Sequence, residues 1–240
     1  MKIKNKKNFR TKIFCDTANI KEIKKYYKNP LVSGFTTNPS LMNNAGAKNY
    51  KNYSKKILKV CKNKPISFEI FADDFKNMEL QAKKINLWAK NIYVKIPVVN
   101  TKGIFCGKVI KKLSNKGIKL NITAVYTVNQ VKQILKCLNK NSHTIISIFA
   151  GRMADVGKDP VPIIKKSVSL CKKMKRTKIL WASTREIYNL KQASDCGCGY
   201  ITIPPKIIDK INNFGKSYKA LTLDTVKKFY EDALNKNFKI

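Results

Sequence analysis

Ile92-Tyr93-Val94-Lys95-Ile96-Pro97-Val98 is an apolar, β-branched run broken by a single lysine. Seven similar runs accompany it: Lys12–Cys15, Leu31–Thr36, Ile66–Phe71, Ile118–Tyr126, Thr144–Phe149, Lys178–Ala182 and Tyr200–Ile203. They begin roughly 20 to 35 residues apart, the length of one strand–helix unit. The segments between them carry helical spacing, as in Ile20, Ile23 and Tyr27, or Val128, Val131, Ile134, Leu135 and Leu138. Asp159-Pro160 has the form of an N-cap followed by proline at the first helical position. Near-continuous apolar strands alternating with helices imply a parallel sheet covered by helices. Eight such units predict closure into a single (β/α)8 TIM barrel spanning residues 1–240. The structural alternative, an open doubly wound sheet, loses ground because Asp16-Thr17-Ala18-Asn19 follows the first run instead of a glycine-rich phosphate fingerprint.

Composition narrows the class further. A chain of 240 residues, 43% hydrophobic, can bury the core of one such barrel. No stretch approaches the roughly 18 apolar residues that would span a bilayer. The basic N-terminus is followed by only a short apolar strand and lacks the apolar region of a secretory signal. The reading is therefore a soluble, cytoplasmic protein with no membrane partner. Seven scattered cysteines read as reduced, mostly buried thiols, and Cys196-Gly-Cys198 has no second pair to complete a metal site. One histidine, His143, supports neither zinc catalysis nor a Ser-His-Asp system and reads as structural. The net charge is +36, yet only four of the fifty cations are arginine, and the lysines spread over nearly every predicted helix. That pattern reads as solvated helix surface. Nucleic acid is not expected as a partner, because its readers concentrate charge on one face, add arginine forks and interleave stacking aromatics.

In barrel enzymes the chemistry sits at the C-terminal ends of the strands. Those ends here are polar: Asp16; Thr37 and Asn38; Glu69; Lys95; Asn121 and Thr123; Ser147 and Arg152; Ser183 and Arg185, with Thr202 closing the last run. Burying so many polar groups is costly unless they meet one another, water or a ligand. Lys95 differs from the helix lysines in having only apolar neighbours. A poorly solvated pocket favours a neutral amine, the form that adds to a carbonyl to give a Schiff base. With Asp16 and Glu69 on the same rim, a carbonyl-attacking lysine flanked by two carboxylates becomes the preferred reading over a lysine that merely reaches solvent.

The sequence resembles the transaldolase family. Phe14-Cys15-Asp16-Thr17-Ala18-Asn19 and Gly34-Phe35-Thr36-Thr37-Asn38-Pro39-Ser40-Leu41 are similar to the family's opening signature. The resemblance continues through Val94-Lys95-Ile96-Pro97, Leu120-Asn121-Ile122-Thr123-Ala124, Ser147-Ile148-Phe149-Ala150-Gly151-Arg152 and Ala182-Ser183-Thr184-Arg185. Leu221-Thr222-Leu223-Asp224 leading to Phe229-Tyr230-Glu231-Asp232 resembles the closing helix, placed at about 222–236. The resemblance implies a class I mechanism with no metal or other cofactor, acting on sugar phosphates. Lys95 would attack the ketone and Asp16 would deprotonate a substrate hydroxyl. Glu69 and Thr123 would hold the water that shuttles protons. Asn38, Asn121 and Ser183 would bind hydroxyls of a dihydroxyacetone unit, with Ser147 and Phe149 lining the site, and Arg152 and Arg185 would clamp the phosphate. A homo-oligomer is also implied.

Three departures stand out. The segment Val98-Val99-Asn100-Thr101-Lys102-Gly103 is one residue longer than in typical members and lacks their aromatic residue. Ile148 stands where proline is common, and Thr184 where an apolar or aromatic residue is common. These are expected to line the substrate rim and to bear on sugar specificity. Fructose-6-phosphate aldolases tend to carry glutamine and tyrosine around the catalytic water, and this chain has Glu69 and Phe149. The expectation is therefore transfer of dihydroxyacetone between sugar phosphates. Its alternatives are a lyase that releases dihydroxyacetone, or a basic barrel that binds polyanions without catalysis.

Overall fold

A computed structural model describes residues 9–236 and 239. Eight parallel strands close on themselves in sequence order: β1 (Lys12–Asp16), β2 (Val32–Thr36), β3 (Ile66–Glu69), β4 (Ile92–Pro97), β5 (Leu120–Val125), β6 (Thr144–Ile148), β7 (Thr177–Trp181) and β8 (Tyr200–Ile203). β8 returns to pair with β1. Each strand lies within about two residues of the apolar run read in the sequence. The helices between them are α1 (Ile20–Tyr27), α2 (Pro39–Asn44), α3 (Tyr50–Cys61), α4 (Phe75–Asn86), α5 (Gly107–Asn115), α6 (Val128–Cys137), α7 (Ala150–Asp155), α8 (Val161–Cys171) and α9 (Asn189–Asp195). After β8 come α10 (Pro205–Ile208), a 3-10 turn (Asp209–Asn213) and α11 (Tyr218–Asn235).

Side-chain alternation along each strand divides the protein into two interiors. One parity points outward. Val94, Ile96, Ile122, Ile146, Ile148 and Trp181 are buried beneath helix residues such as Ile23, Ile57, Met78, Ile110, Ile134 and Ile164. Each such side chain stabilises the fold by about 1.5–3 kcal/mol. The other parity points into the barrel, where Phe14, Ile145, Leu180 and Ala182 form a small separate cluster with Tyr93, Phe149 and Tyr200. Gly34 makes room there: a Cβ on it would lie 2.7 Å from the Phe14 ring and 2.8 Å from the Pro65 carbonyl.

Capping follows the sequence with one adjustment. Asn19, Asn38, Asn49, Asp74 and Thr127 accept hydrogen bonds from backbone N–H groups in the first turns of their helices. Asp159, read as the N-cap of α8, lies one residue earlier. Pro160 is the cap residue, and the Asp159 carboxylate accepts from Val161 N at 2.9 Å. All seven cysteines are free, and all but Cys137 are buried. Among the described residues no helix is long and apolar enough to cross a membrane. α11 covers the expected closing helix but buries none of its residues, leaving Tyr218, Val226, Phe229 and Tyr230 exposed.

Candidate active site

Inward parity and strand ends converge at the C-terminal mouth of the barrel. A cavity of about 120 Å³ opens there, lined by seven residues of six strands and by Asn38, Phe149, Arg152, Ala182 and Ser183 beyond the strand ends. Neighbouring register puts Glu69, Lys95 and Asn121 side by side on β3, β4 and β5. Lys95 is buried, and its Nζ lies 3.1 Å from Glu69 Oε2 and donates to the Thr37 carbonyl at 3.2 Å. The two partners offset the desolvation that a buried ammonium would otherwise suffer. Tyr50 fixes the end of β3: its hydroxyl donates to the Glu69 carbonyl at 2.8 Å and accepts from Glu69 N at 3.0 Å.

Asp16 lines the same cavity. Burial pushes its carboxyl above the usual carboxylate range, against the opposing pull of the Lys95 ammonium and of a hydrogen bond from Thr36. Thr36 Oγ1 donates to Asp16 at 2.6 Å and lies 2.5 Å from Thr202 Oγ1. Across the barrel, Ser147 donates to Asn121 Oδ1 at 2.7 Å and Asn121 donates to Ser67 at 3.0 Å. Thr123 Oγ1 is buried and makes no hydrogen bond among the described residues. It precedes Ala124, whose φ of 58° falls at a register irregularity between β5 and β6. Such bulges re-aim side chains beside active sites.

The mouth is bounded by two connections. Phe149 packs edge-on against Tyr126, and the Arg152 guanidinium stacks 5.4 Å above the Phe149 ring. Arg152 makes no ion pair among the described residues and faces the cavity. Ser183, at φ 63°, lines the other side. Asn38 caps α2 through Oδ1, accepting from Leu41 N at 2.8 Å, while its amide NH2 has no partner among the described residues.

Two anticipated positions differ from the reading. Glu69 reaches the site through its contact with Lys95 and is not on the cavity wall. Arg185 lies outside the cavity, its fork engaged by Asp155: Nε to Oδ1 at 2.9 Å and Nη2 to Oδ2 at 2.5 Å. The departures expected on the rim are not there. Ile148 has outward parity and is fully buried beneath the helices. Thr184 is buried too, donating to the Thr202 carbonyl at 2.7 Å. The 98–103 segment is held away from the cavity by Thr101, which bonds Asp73 through both N and Oγ1. Sequence reading missed Thr36, Ser67 and Asp155. Thr36 and Ser67 were detectable, since each shares the inward parity of its strand's end; Asp155 gave no such signal.

A larger groove of about 650 Å³ lies outside the barrel, where Tyr50, Phe71, Leu87 and Trp88 meet Lys51, Lys55 and Lys84. It holds no carboxylate and no buried amine. Chemical convergence therefore marks the smaller cavity.

The protein is thus an eight-stranded parallel α/β barrel whose C-terminal mouth holds a buried lysine paired with Glu69, with Asp16 on the same cavity wall. Residues 13–240 match the transaldolase/fructose-6-phosphate aldolase family, and the chain belongs to it. A Dehalococcoides mccartyi protein named "probable transaldolase" is 38% identical over 198 residues, 82% of this chain and 88% of that protein. A "probable transaldolase" of Thermoplasma volcanium is 35% identical over 224 residues, 92% of this chain and 94% of its relative. Among solved structures, the thiamine phosphate pyrophosphorylase of Pyrococcus furiosus aligns with a TM-score of 0.56 at 9% identity, over 81% of this chain and 86% of that one. That likeness concerns the fold alone.

Proposed function

We propose that the protein is a class I, metal-independent transaldolase that carries a dihydroxyacetone unit on Lys95. The observation that carries this reading is the Lys95 amine, buried inside the barrel 3.1 Å from Glu69, with Asp16 on the same cavity wall. Lys95 adds to the ketone of a ketose phosphate and loses water to form an iminium ion. Glu69 and the Thr123 hydroxyl, which has no partner among the described residues, are suited to hold a second water that relays a proton to the departing hydroxyl. Asp16 takes the proton of the hydroxyl one carbon beyond the scissile bond. The carbon–carbon electrons then move into the iminium, leaving an enamine on Lys95 and a free aldose phosphate. Asn38, Asn121 and Ser183 would hold the hydroxyls of the three-carbon unit, with Ser147 orienting Asn121. Arg152 would bind the phosphate, joined by Arg185 once it leaves Asp155.

Transfer is favoured over release by Phe149, which cannot donate a hydrogen bond to water where a tyrosine could. The enamine then outlives departure of the first aldose and is captured by a second. We further propose a homo-oligomer, supported by the uncovered apolar residues of α11.

Borohydride reduction with fructose 6-phosphate should add a dihydroxyacetone-derived mass at Lys95. Labelling elsewhere, with Lys95→Met still active, would sink the mechanism. The branch is tested by following glyceraldehyde 3-phosphate with and without erythrose 4-phosphate. Turnover should require the acceptor, and Glu69→Gln with Phe149→Tyr should shift the protein towards free dihydroxyacetone. Sustained release by the unmodified protein would reverse the choice.

A further inference from the structure

Folding sorts the charge that the sequence spreads along the chain. The turns that enter the strands are 9–11, 28–31, 62–65, 87–91, 116–119, 138–143, 172–176 and 196–199. They contain twelve lysines and arginines and no aspartate or glutamate. The connections at the opposite, C-terminal end are 17–19, 37–38, 45–49, 70–74, 98–106, 126–127, 149, 156–160, 182–188 and 204. They contain four cations and four carboxylates, a balance of zero against +12. Of the two ends of the barrel, the positive excess therefore stands on the one facing away from the candidate active site. A field that served to steer phosphorylated substrates would stand around the cavity instead.

The entry face is also shaped. A groove of about 470 Å³ runs over the starts of β3, β4 and β5, between Lys62, Lys90 and Lys119, with Tyr93 in its wall. Lys119 Nζ lies 6.0 Å from the Tyr93 ring centroid. A second groove of about 280 Å³ at β7 and β8 is flanked by Lys172, Lys175 and Lys178. His143, between them, is held below its ordinary value by burial and by Arg176 and Lys119.

We infer that this face binds single-stranded nucleic acid through its phosphate backbone, without sequence preference. Lysine-lined grooves with an aromatic wall are the means by which proteins track such strands. The scarcity of arginine forks fits backbone contact and not base reading. An anionic bilayer fits less well, because interfacial binding needs a row of apolar anchors. Among the large apolar residues described as exposed, only Leu87 lies in these turns. Placement in three dimensions thus revises the expectation drawn from lysine spread along the sequence.

The test is fluorescence anisotropy of labelled 20-nucleotide U and dT strands with the full chain, titrated across potassium chloride concentration. One variant carries Lys90→Glu, Lys116→Glu, Lys140→Glu and Lys175→Glu, all exposed entry-face positions. Its control carries Lys76→Glu, Lys108→Glu, Lys132→Glu and Lys165→Glu on the outer helices. Each exchange removes two charge units, so both variants fall from +36 to +28. Losing four phosphate contacts should make the slope of log affinity against log salt shallower by about 3, at about 0.7 per contact for single strands. The control should change the slope by less than about one contact. A parallel pair of Lys→Gln variants reports the same contrast should charge reversal unfold the protein. Equal losses in the two variants, no loss in either, or tight binding to phosphatidylserine vesicles without strand binding would overturn the inference.

Discussion

Gly151→Ala tests the packing on which the cavity mouth depends. Gly151 is the second residue of α7, two positions after Phe149 and directly before Arg152. Its N–H donates to the Ala182 carbonyl at 3.4 Å, so it sits against the connection that carries Ser183 and Arg185. A Cβ there would fall inside the contact radius of the Ser183 carbonyl oxygen, 2.7 Å from the Ser183 carbonyl carbon and 3.2 Å from Arg185 Cγ. The obstacle is backbone, so rotamer changes cannot relieve it. The two connections must part by about an ångström or more. Forced overpacking of this kind costs about 1–3 kcal/mol. At roughly 2–4 °C per kcal/mol for a chain of this length, Tm should fall by about 2–12 °C. Function should suffer more than stability, because Arg152 and Phe149 ride on one side of the gap and Ser183 on the other. A displacement of about 1 Å can cost on the order of 10²-fold in rate. Differential scanning fluorimetry and steady-state kinetics with fructose 6-phosphate and erythrose 4-phosphate would measure both. An alanine variant with unchanged Tm and kcat/KM would refute the argument that these two backbones meet at the mouth.

Asp155→Asn should release Arg185 and lower KM for phosphorylated donors by up to about fivefold, the ceiling for a half-exposed ion pair. A higher KM in initial-rate measurements would mean that Asp155 aims Arg185 at the phosphate instead. Asp16→Asn should abolish carbon–carbon cleavage yet raise Tm at neutral pH. The sign follows from burial: the folded-state pKa of Asp16 lies above its unfolded value, so ionised Asp16 costs stability as pH rises through the folded pKa. The Tm gap between Asp16→Asn and the parent should therefore widen with pH and close in acid; a gap constant with pH would contradict it.

The barrel was legible because strands buried on both faces read as continuous apolar runs, and because polar residues interrupt those runs where the cavity opens. Lys95 stood out for the same reason. What the chain hid was geometry finer than one residue. Ile148 adjoins Ser147 in sequence, but strand parity turns it to the opposite face, which is why a substitution that looked like rim is core. The Asp155–Arg185 pairing crosses 30 residues and joins the end of α7 to the connection after β7, whose proximity only the fold creates. Thr36 was readable as a strand end, but its bond to Asp16 depends on the β1–β2 register. Charge segregation escaped for a related reason: successive turns alternate between the two ends of the barrel, so cations that gather on one face are scattered along the sequence.

The costs the fold carries are gathered at one end of the strands, and that distribution is itself an argument for function. Three described non-glycine residues have positive φ. Lys62 merely terminates α3, but Ala124 and Ser183 both lie at the cavity end of their strands. Backbone in this region costs on the order of 1–3 kcal/mol per residue and persists only where the surroundings over-determine it. The same cavity is lined by a buried hydroxyl with no partner among the described residues, Thr123, and by a carboxyl raised by burial, Asp16. None of these is needed to close the barrel, since the outward parity of the same strands already packs a continuous apolar layer against the helices. A relaxed β5 end would turn Thr123 away from Lys95, and a relaxed β7 end would withdraw Ser183 from the wall. The strain therefore maintains the convergence of polar groups around the lysine, and its removal should stabilise the protein while dispersing the site.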